Sequence, residues 1–215
     1  MKSLLNKELR LSAHILSFLF LAFALMTLIP GYPILVGAFF VCLGIFQTFQ
    51  GSRENNDVLY TVLLPVEKGD AVRARFLFVC FIQLAAFVLM GVLTAVRMTL
   101  WGDAAVYVSN PMMNSNPVYL GWVLLVFALF NGIFVGPFYK TAYKFGKPFV
   151  TFIVVSFLVV AAAETLHHIP GLTFLNGTER LGTQIVILAA AMGLYALVTF
   201  LSCRRAVRVF ETIDL

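Results

Sequence analysis

Residues 51–75 read GSRENNDVLYTVLLPVEKGDAVRAR, a polar island between two long apolar runs. The island holds eight of the chain's 25 charged residues. It is too long for a tight turn and too short for a domain. It is also patterned, with paired apolar residues, a proline and a helix-start signal. What flanks it decides the fold. Hydrophobic residues make up 61% of the chain and charged residues 12%, with a mean hydropathy of +0.95. A soluble domain carries about 25% charge. Charge this scarce, confined to islands, marks an integral membrane protein.

Crossing the hydrocarbon takes about 20 apolar residues as a helix. Six runs suit this, at about residues 13–30, 32–49, 76–100, 118–139, 149–167 and 183–203. Helix is forced on them, because in lipid every backbone N–H and C=O must be satisfied within the element or in a closed barrel. A barrel would show short alternating strands, whereas these runs are continuously apolar. The expected fold is an all-α polytopic membrane protein, one domain over residues 1–215. Lys2, Lys7 and Arg10 precede the first run, and Ala22-Phe23-Ala24 imitates a signal-peptide cleavage site. The apolar run continues to Ile29, so it reads as an uncleaved first span.

Lysine and arginine set the topology. Thirteen of the 15 fall in four places: the opening residues, the island, Lys140 to Lys147, and the tail from Arg204 to Arg208. The opposite side has Arg97 and Arg180 alone. Six spans with this alternation put both termini in the cytoplasm. The net charge of +5 is then a topology signal and not a nucleic-acid footprint. Residues 1–12 alternate leucines with Lys7, Glu8 and Arg10, which reads as a short interfacial helix or as an extension of the first span. On the outer side, Pro30-Gly31-Tyr32-Pro33 makes a minimal turn. The loops at 101–117 and 168–182 are too short for a domain.

Within the island, Val58, Leu59, Val62 and Leu63 fall at i, i+1, i+4 and i+5, an apolar stripe on a short helix. Glu54 and Asp57 lie in its expected first turn, where negative charge suits the helix dipole. Leu64-Pro65 should end it, because a residue before proline avoids the helical region. Asp70, after Gly69, reads as the N-cap of the third span. Such a helix either rests on the bilayer or docks into a partner.

The island resembles that of small ABC-2-type permeases of bacterial ABC exporters. The residues that carry the resemblance are Glu54-Asn55-Asn56-Asp57, Leu59-Tyr60-Thr61-Val62-Leu63-Leu64-Pro65-Val66, Lys68-Gly69-Asp70-Ala71-Val72 and Ala74-Arg75-Phe76. The basic opening, the six spans and the tail agree with it, and the likeness extends to peptide-exporter permeases, including those for phenol-soluble modulins. It implies a transmembrane subunit in the bacterial cell membrane, whose energy comes from separate cytoplasmic ABC ATPase subunits that bind ATP and Mg. No cofactor is expected in this chain. In agreement, no G-x-x-x-x-G-K-[ST] occurs, and Gly146-Lys147 has Thr141 where the first glycine should be. The resemblance also makes residues 54–64 the coupling helix that docks into the ATPase. Val58, Leu59, Val62 and Leu63 would be its anchors. Pro65 would form the step after it, and Glu54, Asp57, Glu67 and Lys68 the rim. Two ATPases need two docking helices, so a second permease subunit is implied, identical or not.

Other residues have two readings each. Gln83 and Asn131, deep in spans, serve helix–helix hydrogen bonding or substrate contact. Arg97 snorkels to the outer surface or faces the bundle. Gly132-x-x-x-Gly136 allows close helix approach, within one subunit or between two. Glu164, His167 and His168 have metal-ligand chemistry at helical spacing but no second cluster, so no metal is expected. His14 reads as interfacial. Cys42, Cys80 and Cys203 read as small hydrophobes. Asn176-Gly177-Thr178 matches a glycosylation sequon, though Asn-Gly alone explains a turn. No Asp, Glu or Lys lies mid-span, which disfavours an ion-coupled carrier. An exporter of an amphipathic or hydrophobic substrate, peptide-like by preference, is the leading expectation. A membrane scaffold without a pathway is the alternative.

Overall fold

The computed structural model describes residues 2–140, 144–177 and 180–213, so Thr141, Thr178 and Leu215 lie outside the described residues. Every element is helical, and no strand occurs among the described residues. α1 (Lys2–Lys7) runs on through π-helical turns, Glu8–Ser12, to an extended Ala13. His14, also extended, accepts the Leu16 N–H through Nδ1 at 3.2 Å and so caps α2 (Ile15–Leu19). The axis turns by 94° between Ser3–Ser12 and Ile15–Leu28. The opening segment is therefore a separate helix at right angles to the next, not an extension of it. α2 continues as a 3-10 helix, Phe20–Leu28. Its nine residues cover roughly 18 Å at about 2.0 Å each, against about 13 Å in an α-helix.

α3 (Val36–Glu54), α4 (Asp57–Leu63) and α5 (Lys68–Leu100) follow. The short α6 (Ala105–Val108) lies in the connection to α7 (Pro117–Leu129). Asn116 caps α7 by accepting the Tyr119 N–H at 2.9 Å, with Pro117 at the first position, where its missing N–H costs nothing. α7 widens into π-helical turns, Phe130–Val135, before α8 (Gly136–Phe138). Pro137 is the cause: its ring crowds the carbonyl of residue 133, and the wider turn relieves that. α9 (Gly146–Leu166) and α10 (Leu181–Glu211) complete the fold.

Among the described residues, four helices are long and apolar enough to cross a membrane: α5, α7 to α8 (Pro117–Phe138), α9 and α10. The bent pair at the start makes a fifth if it counts as one span. α3, on which the expected second span fell, is not among them; Gln47, Gln50, Arg53 and Glu54 make its second half polar. Two boundaries also move. Asp70 is not the N-cap of α5 but its third residue, bonded to Arg73 at 2.7 Å, and Glu67 holds the cap position. The helix of the last span continues past Cys203. α10 runs to Glu211, because Ala206, Val207 and Phe210 bury a second apolar face beyond the membrane segment.

α3 is the central helix. Val36, Ala38, Val41, Cys42, Ile45 and Phe49 are all buried. The first span lies directly on it: a Cβ at Gly44 would come within 2.7 Å of Phe20 Cβ and 2.8 Å of the Leu16 carbonyl. One further heptad along, a Cβ at Gly37 would meet the Phe23 carbonyl at 2.7 Å. Much of the remaining core is aromatic. Phe46 stacks on Phe149 with centroids 3.6 Å apart, and Phe49 meets Phe134 and Phe138 edge-on at 5.1 and 4.9 Å. These rings join α3, the π-helical turns, α8 and α9 to each other and fill the core.

Two groups of polar contacts lie at the two ends. At one end α1, the island and the tail of α10 meet; Lys68 Nζ donates to the Ile213 carbonyl at 2.7 Å. At the other end the Gly31 N–H donates to Asn110 Oδ1 at 3.1 Å, and Asn116 Nδ2 to the Leu175 carbonyl at 2.7 Å. Glu164 and His167 belong to this second end. Glu164 Oε2 accepts the Met113 N–H at 2.8 Å, and the His167 ring contacts the Pro111 and Ala163 carbonyls.

Candidate functional site

The island folds differently from a single helix over residues 54–64. α3 extends to Glu54, then Asn55 and Asn56 break the chain, with Asn56 left-handed at φ 51°. Asparagine tolerates that conformation better than most residues. α4 therefore starts at Asp57, and Pro65 stops it after Leu63 as expected. Glu54 is exposed at the end of α3, where it accepts a hydrogen bond from Gln50 Nε2 at 3.1 Å.

Asp57 does more than favour a helix dipole. Its carboxylate joins three elements. Oδ2 accepts from Arg75 Nη2 of α5 at 2.7 Å and from Ser52 of α3 at 3.2 Å. Oδ1 pairs with Lys7 of α1, and Ser12 donates to Oδ2 at 3.2 Å. Arg75 in turn pairs through Nε with Glu8, and Lys7 donates to Thr61 Oγ1 at 2.9 Å. Arg75 is 4% exposed and Glu8 is buried with it. Two cations and two carboxylates close the cluster at zero net charge, the condition under which buried charge is tolerated. Burial alone would push the Asp57 carboxyl up, but the Lys7 hydrogen bond and the Arg75 and Lys7 charges outweigh it and hold it below the ordinary aspartate value.

The cluster fixes which face of α4 turns outward. Val58 and Thr61 are buried, and Val62 packs on the core. Leu59 is half-buried. The exposed apolar tip is Tyr60 at 66%, Leu63 at 74%, and Leu64 beyond the helix end. Of the four expected anchors, Leu63 alone is exposed, and Val58 and Val62 are occupied within the chain. Tyr60, Leu63 and Leu64 fall at i, i+3 and i+4, a stripe that the sequence pattern describes as well as it describes the buried set. Pro65 and Glu67 are exposed; Lys68 is half-buried and tied to the tail.

Gln83 and Asn131 are brought together. Their amides bond reciprocally, each at 3.0 Å, and both are fully buried. Thr199 and Tyr195 of α10 add bonds at 2.9 Å. All their polar atoms are engaged in joining α5, the π-helical turns after α7, and α10. Gly132 and Gly136 also serve packing within the chain, with Val198 and Ser202 of α10 at 3.3 and 3.4 Å from where a Cβ would sit. Arg97 faces the bundle, with 3% exposure.

The model of the ABC-2 family transporter proteins matches residues 3–206. The chain belongs to that family. This ABC-2 protein is thus a multi-pass membrane permease component of an ABC transporter, a class whose ATPase is a separate partner. No curated protein and no solved structure matches it. The island of this ABC-2 protein carries an apolar tip on a helix pinned through Asp57 to both α1 and α5.

Proposed function

We propose that the chain is the transmembrane subunit of an ATP-driven bacterial exporter, moving an amphipathic or hydrophobic, peptide-like substrate by alternating access. The observation that carries this is the α4 tip. Tyr60 and Leu63 offer apolar surface for a groove on the ATPase, in the helix-in-groove manner. Glu54 and Glu67 are exposed beside it as a polar rim. Motion of the ATPase reaches the bundle because Asp57 is tied to Arg75 at the foot of α5.

Six crossings with both termini in the cytoplasm are the topology we infer. Its support is the meeting of α1, the island and the α10 tail at one end, since ends on one side require an even number of crossings. The bent first span and α3 then both cross. Thirteen of the 15 basic residues gather at that end, which orients it inward. ATP and Mg would be held by the partner. One docking helix per chain against two ATPases calls for a second permease subunit, and α9 and α10, exposed along much of their apolar length, leave room for it or for lipid.

The test is Tyr60→Asp combined with Leu63→Asp in the chain co-expressed with its ATPase. Membrane insertion stays intact and the ATPase no longer co-purifies. Undiminished ATPase recovery would refute the assignment. Uptake of labelled amphipathic peptides into inverted vesicles then tests substrate class and direction.

A further inference from the structure

Arg97 is buried at the end of the bundle opposite the ion cluster, with neutral partners only among the described residues. Nη1 donates to the Thr27 carbonyl and Nη2 to Asn114 Oδ1, each at 2.7 Å. The guanidinium lies over the Tyr107 ring, 4.1 Å from its centroid. No carboxylate pairs with it among the described residues, and Asp103 is exposed and unpaired. A buried charge without a counter-charge is costly. Beside it opens a cavity of about 240 Å³, lined by Arg97, Trp101, Tyr107, Asn114 and Asn176.

Asn114 is the second observation. Its Oδ1 accepts from both Arg97 and Asn110, so its amide nitrogen faces no competition. That Nδ2 has no acceptor among the described residues. Arg97 Nε is likewise without an acceptor among them. A guanidinium and a spare amide donor beside one cavity match an oxyanion, which takes several N–H donors and supplies the missing charge.

We propose that this cavity binds an anionic oxygen group, phosphate or carboxylate, either free or as a lipid headgroup. Neither transport nor the coupling assignment enters this inference. The chain has two tryptophans, and Trp101 lines the cavity, so Trp122→Phe leaves one reporter in place. The purified chain in neutral detergent is titrated at constant ionic strength with inorganic phosphate, short-chain phosphatidylglycerol and short-chain phosphatidylcholine. Saturable change of Trp101 fluorescence with phosphate supports a free-anion site. Saturation with phosphatidylglycerol and not with phosphate supports a headgroup site. No saturation with either, or equal saturation with phosphatidylcholine, overturns the proposal.

Asn114→Asp sharpens the test. It keeps the shape and places a carboxylate against Arg97, so binding weakens at least tenfold while thermal stability holds or rises. Unchanged affinity in that variant overturns the proposal. Should Asn114→Asp not yield folded protein, Arg97→Gln carries the same test with the same overturning result.

Discussion

Arg75 and Arg97 stand on one helix, about 22 residues or roughly 33 Å apart at about 1.5 Å per residue, and both are almost fully buried. That separation is close to the thickness of the hydrocarbon, about 30 Å. The two guanidinium groups lie near the two ends of α5. Their company is opposite. Arg75 is neutralised by Glu8 and Asp57, whereas Arg97 meets two neutral oxygens and a ring. One end is a closed electrostatic joint and the other an open one.

The closed joint can be taken apart. Arg75→Gln leaves the buried Glu8 with Lys7 alone, at 3.4 Å, and removing one partner of a buried pair costs up to about 3–5 kcal/mol. Asp57→Asn costs less, because Asp57 is partly exposed and Arg75 keeps Glu8. The double variant is less destabilised than the sum of the two, by about 0.5–3 kcal/mol, as expected for residues in one network. Thermal unfolding of the four proteins in detergent measures it. Strict additivity would show that Asp57 and Arg75 do not act together. Arg75→Lys does not rescue, since a point charge cannot bridge two carboxylates as the guanidinium fork does.

Acid should loosen the same joint. Asp57 titrates lower in the folded protein than its usual value of about 3.9. A depressed carboxyl contributes stability that is full above the unfolded value and is lost as pH falls through the folded one. The natural chain therefore exceeds Asp57→Asn in melting temperature by a constant margin above about pH 5. That margin shrinks as pH falls below about 4. Because the comparison is with a variant differing at Asp57 alone, titrating groups outside the cluster cancel. A margin that does not change from pH 6 to pH 3 would contradict the assignment of Asp57 as the titrating member.

Much of this architecture is legible in the chain itself. The apolar runs became helices, Pro65 ended α4, and Gln83 and Asn131 found partners within the bundle. What stayed hidden has physical reasons. α4 is seven residues long and almost wholly apolar, so two stripes fit it and periodicity cannot choose between Val58 and Tyr60. The choice is made by Lys7 and Arg75, 50 residues before Asp57 and 18 after it in the chain. Glu8 read as an interfacial charge because nothing local marks it as the partner of Arg75. Asn55-Asn56 carried the break that ends α3, a turn signal overshadowed by the acidic residues on either side.

The glycine seam on α3, Gly37 and Gly44, is not a G-x-x-x-G pattern: its spacing is seven, which returns to the same helix face after two turns. Gly44 is the sharper test. A Cβ there would sit 2.7 Å from Phe20 Cβ and 2.8 Å from a backbone carbonyl, which no rotamer change relieves. Gly44→Val should separate the first span from α3. It would also strain the Ser17 hydroxyl's hydrogen bonds to the Gly44 carbonyl and Thr48, both 2.8 Å. Overpacking of this kind costs about 1–3 kcal/mol or more. Gly193 of α10 is the matched control, with nothing within 4 Å of its added Cβ. Gly193→Ala should be neutral or stabilising by up to about 1 kcal/mol, from helix propensity alone. Melting temperatures of the two variants in one detergent decide it. Equal effects at both positions would mean that the close contact at Gly44 does not hold the first span in place.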